Sequence, residues 1–297
     1  MQERLSKCPL CKSGHFLNHS EVVDYAVSRE SFVLCKCSNC QLLFTNPRPK
    51  QEEIGPYYNF PEYFSHEDKA KNLTQWIYQQ IRNYSIRKKV KFIQSLKKKG
   101  KLLDYGCGTG EFLKAAKKRG WKVAGIEPSE KARIQANQKL DSKVKETIDD
   151  IKKESNFDII TLFHVLEHIH DLRKTTRKII NHLKSDGYLI IAVPNHESWD
   201  GKHYGKFWAG WDVPRHLYHF NNSSIESFKN EFGLELKEVK PMKFDSFYVS
   251  LLSEGYLDKY SGLLTRYWRA FFNGLKSNRS AKGPGNYSSN IFIFQKK

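Results

Sequence analysis

The stretch Lys101-Leu-Leu-Asp104-Tyr-Gly106-Cys107-Gly108-Thr-Gly110-Glu-Phe-Leu constrains this chain more than any other. A short apolar run enters three alternate glycines and leaves as an amphipathic segment carrying Phe112, Leu113 and Ala116. Glycine lets a backbone turn sharply and approach a ligand closely. A helix that starts after such a turn presents free N–H groups. The pattern therefore predicts a strand, a ligand-cradling loop and a helix in succession. Dinucleotide sites place their third glycine three residues after the second. Here it follows after two, and Asp104 precedes the first glycine by two.

Strands and helices alternate from there to about Asn195, which predicts a doubly wound α/β fold. Val123-Ala-Gly-Ile ends in Glu127-Pro128, seventeen residues past Gly110. A carboxylate at that strand end can accept both hydroxyls of a ribose. Residues 144–150, ending in Asp149-Asp150, read as a third strand and loop. Residues 157–163 read as a fourth, followed by His164-Val-Leu-Glu167-His168, and residues 187–195 as a fifth.

The D-x-G-x-G-x-G pattern resembles motif I of the class I S-adenosylmethionine-dependent methyltransferases. HVLEH, AVPN and RHLYHF look like the subgroup with an N-terminal cysteine-rich zinc module, whose better-known relatives include sugar C-methyltransferases. Those carry a further C-terminal domain, whereas this chain ends on its sheet hairpin, so a sugar substrate does not carry over. The resemblance covers residues 101–297 and implies a mostly parallel seven-stranded sheet. Its last strands are expected as an antiparallel hairpin, Leu234–Lys240 with Asn290–Gln295. It implies a donor site built from Asp104, Gly106, Cys107, Gly108, Gly110, Glu127, Pro128, Asp149, Phe163 and His164, with Asp149 on the adenine side.

Five of the six cysteines precede position 41, in Cys8-Pro-Leu-Cys11, Cys37-Ser-Asn-Cys40 and the odd Cys35. Two C-x-x-C knuckles supply the four thiolates of a tetrahedral zinc site. Lys7, Lys12 and Lys36 stand beside them to offset the charge. All four positions are filled by cysteine, so the zinc is expected to be structural. A disulfide pair is the alternative. The N-terminus lacks the apolar stretch of a secretory signal, which favours a reducing, cytoplasmic setting. The expected domains are a zinc-ribbon-like module at 1–50, an aromatic linker and helix at 51–100, and a methyltransferase domain at 101–297. That last domain carries a helical insertion at about 246–285. The helix reads from Trp76 to Lys99, where Ile77, Ile81, Tyr84, Phe92 and Leu96 recur at helical spacing.

Methyl transfer needs alignment, exclusion of water and, for a hydroxyl or carbon acceptor, a base. His164, His168, His216 and Tyr218 are the candidates. Trp199, His203, Tyr204, Phe207, Trp208, Trp211 and the Arg215–Phe220 run follow the fifth strand, where they either wall a substrate pocket or form a packed lid. Tyr57, Tyr58 and Tyr63 are placed to close such a pocket from the linker. Residues 263–275 gather Leu263, Leu264, Tyr267, Trp268, Phe271, Phe272 and Leu275 on one helical face, for a membrane surface, a partner or the chain's own core. Residues 277–289 read as a glycine- and serine-rich loop.

The leading expectation is methylation of a small or lipid-linked metabolite at oxygen or carbon. With 50 Lys and Arg against 32 Asp and Glu, the net charge of +18 keeps an RNA methyltransferase as the alternative. A non-catalytic binding module is a third.

Overall fold

The computed structural model describes residues 2–59, 73–140, 143–152, 156–258 and 260–297. Tyr63 lies outside them. The N-terminal part is built of strands: β1 (Gln2–Glu3), β2 (Phe16–Val23), β3 (Ser31–Cys37), β4 (Leu43–Thr45) and β5 (Arg48–Pro49). The long helix α1 (Leu73–Leu96) opens the alternation β6 (Lys101–Tyr105), α2 (Glu111–Lys117), β7 (Lys122–Ile126), α3 (Glu130–Leu140), β8 (Phe157–Phe163), α4 (Leu172–Asn181), β9 (Leu183–Pro194). The remainder holds α5 (Trp199–Tyr204), β10 (Tyr218–His219), α6 (Asn222–Glu231), β11 (Leu234–Pro241), α7 (Asp245–Leu257), α8 (Leu263–Ser280) and β12 (Ser289–Lys296).

These elements form two compact units. One takes residues 61–163, 175–190 and 295–297; the other takes 1–60, 164–174 and 191–294.

In the unit that carries the glycine loop, β6 lies between β7 and β8 and runs parallel to both. Leu102, Leu103, Ile159 and Ile160 are fully buried, as expected of parallel strands covered on both faces. Phe112, Leu113 and Ala116 form the buried face of α2, as patterned. The expected third strand at 144–150 does not form. A single parallel bridge joins Ile126 and Lys145, and the chain then takes a 3₁₀ turn at Ile148–Asp150, capped reciprocally by Thr147 and Asp150. The side chains that favour a cap over a ladder thus leave six strands in the main sheet among the described residues, in place of the seven expected. Among the described side chains of α1 the buried ones are Val90 and Ile93, while Tyr84 is exposed; of Trp76, Ile77 and Ile81 only the helix is described.

In the other unit the N-terminal strands do not stand alone. β10, from the RHLYHF segment, pairs with β4 and completes a sheet in the order β10-β4-β3-β2. Val22, Phe32, Leu34 and Leu43 pack against Tyr204, Trp208, Trp211 and Val213. The aromatic segment after β9 is therefore mostly core. Trp208 donates to Asp200 at 2.8 Å, and Asp200 also accepts from Ser277 and Ser288. The end of β9 is followed in the sheet by β12 and then β11, so the two C-terminal strands neighbour each other as expected.

Helix α8 runs through residue 280, so the expected loop begins later than residue 277. Its buried face is Ala270, Gly274 and Ser277, because a side chain at Gly274 would stand 2.6 Å from Phe247. Most of the large residues predicted to share one face are left outside, with Leu275 half-buried. Leu264 is 72% exposed, and Leu263, Trp268, Phe271 and Phe272 are also exposed.

Candidate active site

All three loop glycines hold left-handed backbones, with φ of 76° at Gly106, 53° at Gly108 and 78° at Gly110. Side chains with a Cβ rarely adopt that region. At Gly110 a Cβ would also press within 3.1 Å of Ala136, whereas at Gly108 it would meet nothing within 4 Å. Gly108 therefore borders open space. Its N–H donates to Glu127 Oε2 at 2.8 Å, and Ser129 N–H donates to Oε1 at 3.0 Å. These two bonds fix the carboxylate at the end of β7 while each oxygen keeps a lone pair. Burial raises the Glu127 carboxyl above its ordinary range, against the two N–H donors.

Asp104 is buried at the end of β6 and accepts from the Thr161 hydroxyl at 2.6 Å. Burial raises it from 3.8 to about 7, since one hydroxyl does not replace its water. Cys107 is buried under the loop, which raises its thiol. Pro128 and Asp149 are exposed, and Asp149 pairs with Lys178 at 2.6 Å. Phe163 packs edge-on against Phe112 at 5.4 Å and lies 4.0 Å from the Lys89 ammonium.

The other unit assembles the histidines. His164 holds φ 57°, a left-handed backbone at a non-glycine residue. Such strain persists where the surroundings impose it. Its Nε2 meets Asp245 at 2.9 Å and its Nδ1 stands 3.5 Å from Glu167. Burial alone would lower His164, but the Asp245 and Glu167 carboxylates outweigh it and hold the ring up at about 9. Burial and the neighbouring His216 push His168 down to about 4, so it is neutral at physiological pH. His168 and His216 meet edge-to-face at 4.7 Å. Tyr58 reaches His168 Nδ1 at 3.0 Å, while Tyr57 packs edge-on against Phe32.

Tyr218 is placed differently. It is buried, its hydroxyl donates to the His170 carbonyl at 2.8 Å, and it accepts from Arg48 at 2.9 Å. The sequence-based expectation that it carries chemistry meets a hydroxyl committed to structure.

Sequence reasoning missed Asp212, Asp245 and the buried pair Arg215–Asp24. Arg215 Nη2 sits 2.9 Å from Asp24 and 2.8 Å from Asp212. Asp212 lies three residues before Arg215 and could have been suspected from that run. Asp24 and Asp245 carry no local signal.

The four knuckle cysteines also converge. Cys8 and Cys40 Sγ are 3.5 Å apart, Cys11 and Cys37 3.6 Å, and all four sulfurs lie within 4.8 Å of one another. Zn–S bonds of about 2.3 Å in a tetrahedron set S···S edges of about 3.8 Å, so the donor set fits that ion. Cys35 points elsewhere, toward Asn18 and the Asn46 carbonyl.

A family model described as "Methyltransferase domain" matches residues 78–239. The chain belongs to that family. It is an S-adenosylmethionine-dependent methyltransferase with the class I fold. Among curated proteins it is similar to the "Ubiquinone biosynthesis O-methyltransferase" of Rickettsia typhi, 26% identical over 182 residues, covering 56% of this chain and 72% of the relative. The same name is borne by a protein of Rickettsia canadensis, 24% identical, of which the chain spans 66%, and by one of Rickettsia prowazekii, of which it spans 62%. Among solved structures, the magnesium protoporphyrin IX methyltransferase of Synechocystis PCC 6803 with bound SAH aligns at TM-score 0.51 and 14% identity, over 77% of this chain and 90% of that one. Coclaurine N-methyltransferase bound to N-methylheliamine and SAH aligns at 0.50 and 14%, over 72% and 71%. At these identities the two structures show a shared fold. No described helix is long and apolar enough to cross a membrane.

Proposed function

We propose that this enzyme methylates a hydroxyl, or an acidic carbon, of a small lipid-linked metabolite. The observation that carries the reading is the open space at Gly108 beside the fixed Glu127 carboxylate. The lone pairs of Glu127 accept the two ribose hydroxyls of the donor. Asp104 carries the charge opposite the donor's cationic end, while Gly106, Cys107 and Gly110 hold the loop in its turn. Bound S-adenosylmethionine supplies an electrophilic methyl on a sulfonium, displaced in line by the acceptor's lone pair. His164, protonated at neutral pH, supplies positive charge and not a base. Of the other candidate imidazoles, His168 is neutral at physiological pH and so is able to take up a proton.

Cys8, Cys11, Cys37 and Cys40 hold a structural zinc in this reading, tying the β2–β3 hairpin to the start of the chain. The choice of a lipid-linked acceptor draws on the relatives' printed name and on the exposed aromatic face of α8, which lies on a bilayer surface in this account. From Leu263 to Ser280 that helix has Arg266, Arg269, Lys276 and Arg279 and no acidic residue.

The test is mass spectrometry of lipid extracts incubated with enzyme and deuteromethyl donor. A product gaining one labelled methyl in the organic phase supports the reading. Label confined to RNA, with none in metabolites, overturns it in favour of the nucleic-acid alternative.

A further inference from the structure

The histidine cluster contains an arrangement that proton transfer does not require. His168 Nδ1 lies 3.0 Å from the Arg215 carbonyl, and His216 Nδ1 lies 3.0 Å from the Gly210 carbonyl. A carbonyl only accepts, so each ring carries its proton on Nδ1 and leaves a bare lone pair on Nε2. Beside the two rings, which meet edge-to-face, lies Glu167, fully buried and, among the described residues, without a hydrogen-bond partner for either carboxylate oxygen. The approaches to it are long: His164 Nδ1 at 3.5 Å and His216 Nε2 at 3.9 Å from Oε1. One donor atom from each of Glu167, His168 and His216 falls within 4.8 Å of the others. Asp212 Oδ2 adds a further oxygen 3.8 Å from His216 Nε2.

Lone pairs gathered this way repel one another, and the cationic His164 ring, 3.5 Å from Glu167 Oε1, already offsets the charge of that carboxylate. Imidazoles whose far nitrogen donates to a backbone carbonyl are the usual form of metal-bound histidine, because that bond fixes the tautomer and aims the free lone pair. Ligand bonds of about 2.1 Å at right angles need donors about 3 Å apart, which small side-chain rotations supply from the present separations. We propose that Glu167, His168 and His216 bind a divalent first-row metal ion, separate from the four-cysteine site, with Asp212 as a further ligand. Two imidazoles and a carboxylate form a borderline donor set, suited to zinc, iron, cobalt or nickel and poorly to calcium or magnesium. His168 is the partly exposed member and marks the side open to solvent.

The site is tested without methyl donor or acceptor. Protein with its cysteines zinc-loaded is titrated with Co²⁺, following visible ligand-field absorption and the metal count per chain. The expected result is one additional equivalent showing a nitrogen–oxygen ligand field and no thiolate charge-transfer band. Glu167→Gln and His168→Gln should each weaken binding at least tenfold while the cysteine-bound zinc stays in place. If Glu167→Gln loses its fold by circular dichroism, His168→Gln, at the partly exposed position, decides. No second equivalent, cobalt appearing only with thiolate bands, or unchanged affinity in the folded variants overturns the proposal.

Discussion

The pH dependence of donor binding follows from one buried carboxylate. Asp104 is raised from 3.8 to about 7 by burial, offset only in part by Thr161. A raised carboxylate is neutral below its folded value, so the charge that meets a cationic donor appears as pH rises through about 7. About one molecule in eleven is ionised at pH 6 and about ten in eleven at pH 8, so affinity should rise about tenfold, or about 1.4 kcal/mol, across that window. The linked effect on the free protein has the opposite sign. The folded state binds the extra proton, so the contribution of Asp104 to stability falls as pH climbs from about 4 to about 7, by about 4 kcal/mol in all. Calorimetric titration of S-adenosylmethionine at half-unit steps measures the first effect in the wild type and in Asp104→Asn. The variant should bind weakly with a flatter profile, and it should recover stability above pH 7. The same pH slope in both proteins would refute the assignment of Asp104 as the group that meets the positive charge.

Further tests address other parts of the account. Asp24→Ala leaves buried Arg215 with Asp212 as its remaining carboxylate among the contacts described here and should cost about 3–5 kcal/mol, read as a lowered thermal midpoint. Gly108→Ala forces a side chain into a left-handed backbone at roughly 1–2 kcal/mol and intrudes on the cradle. Its loss of donor affinity should therefore exceed its loss of stability. Cys37→Ser should lose one equivalent of zinc and become as chelator-sensitive as the metal-stripped wild type, by metal analysis and thermal unfolding. Trp268→Ala paired with Phe272→Ala should abolish flotation with anionic vesicles while leaving donor binding intact; unchanged flotation removes the membrane role of α8.

The glycine loop was legible in the sequence because its spacing is backbone chemistry: three residues that must turn left-handed cannot be disguised. Glu127, the cysteine knuckles and the strand at 157–163 were legible for similar local reasons. The third strand was misread because Val144 and Ile148 suggest a strand, whereas Thr147 and Asp150, three residues apart, close a cap. The large-residue face of α8 was legible, but what it meets was not. Its small residues pack against Phe247, and no helical period reveals which face a neighbour will choose. Long-range pairing was least visible. Nothing around Tyr218 announces that it pairs with Phe44, or that Arg215 reaches Asp24 near the other end of the chain. The histidine run was recognisable as a cluster, but Glu167's isolation and the Nδ1 bonds to carbonyls depend on the fold.

A crystal soaked with S-adenosylhomocysteine tests the central claim most directly. The account predicts density over the Gly106–Gly110 loop, with both ribose hydroxyls on the Glu127 carboxylate and the amino acid end toward Asp104. An ordered loop with no density beside Glu127, at a concentration that saturates other enzymes of this fold, would contradict it.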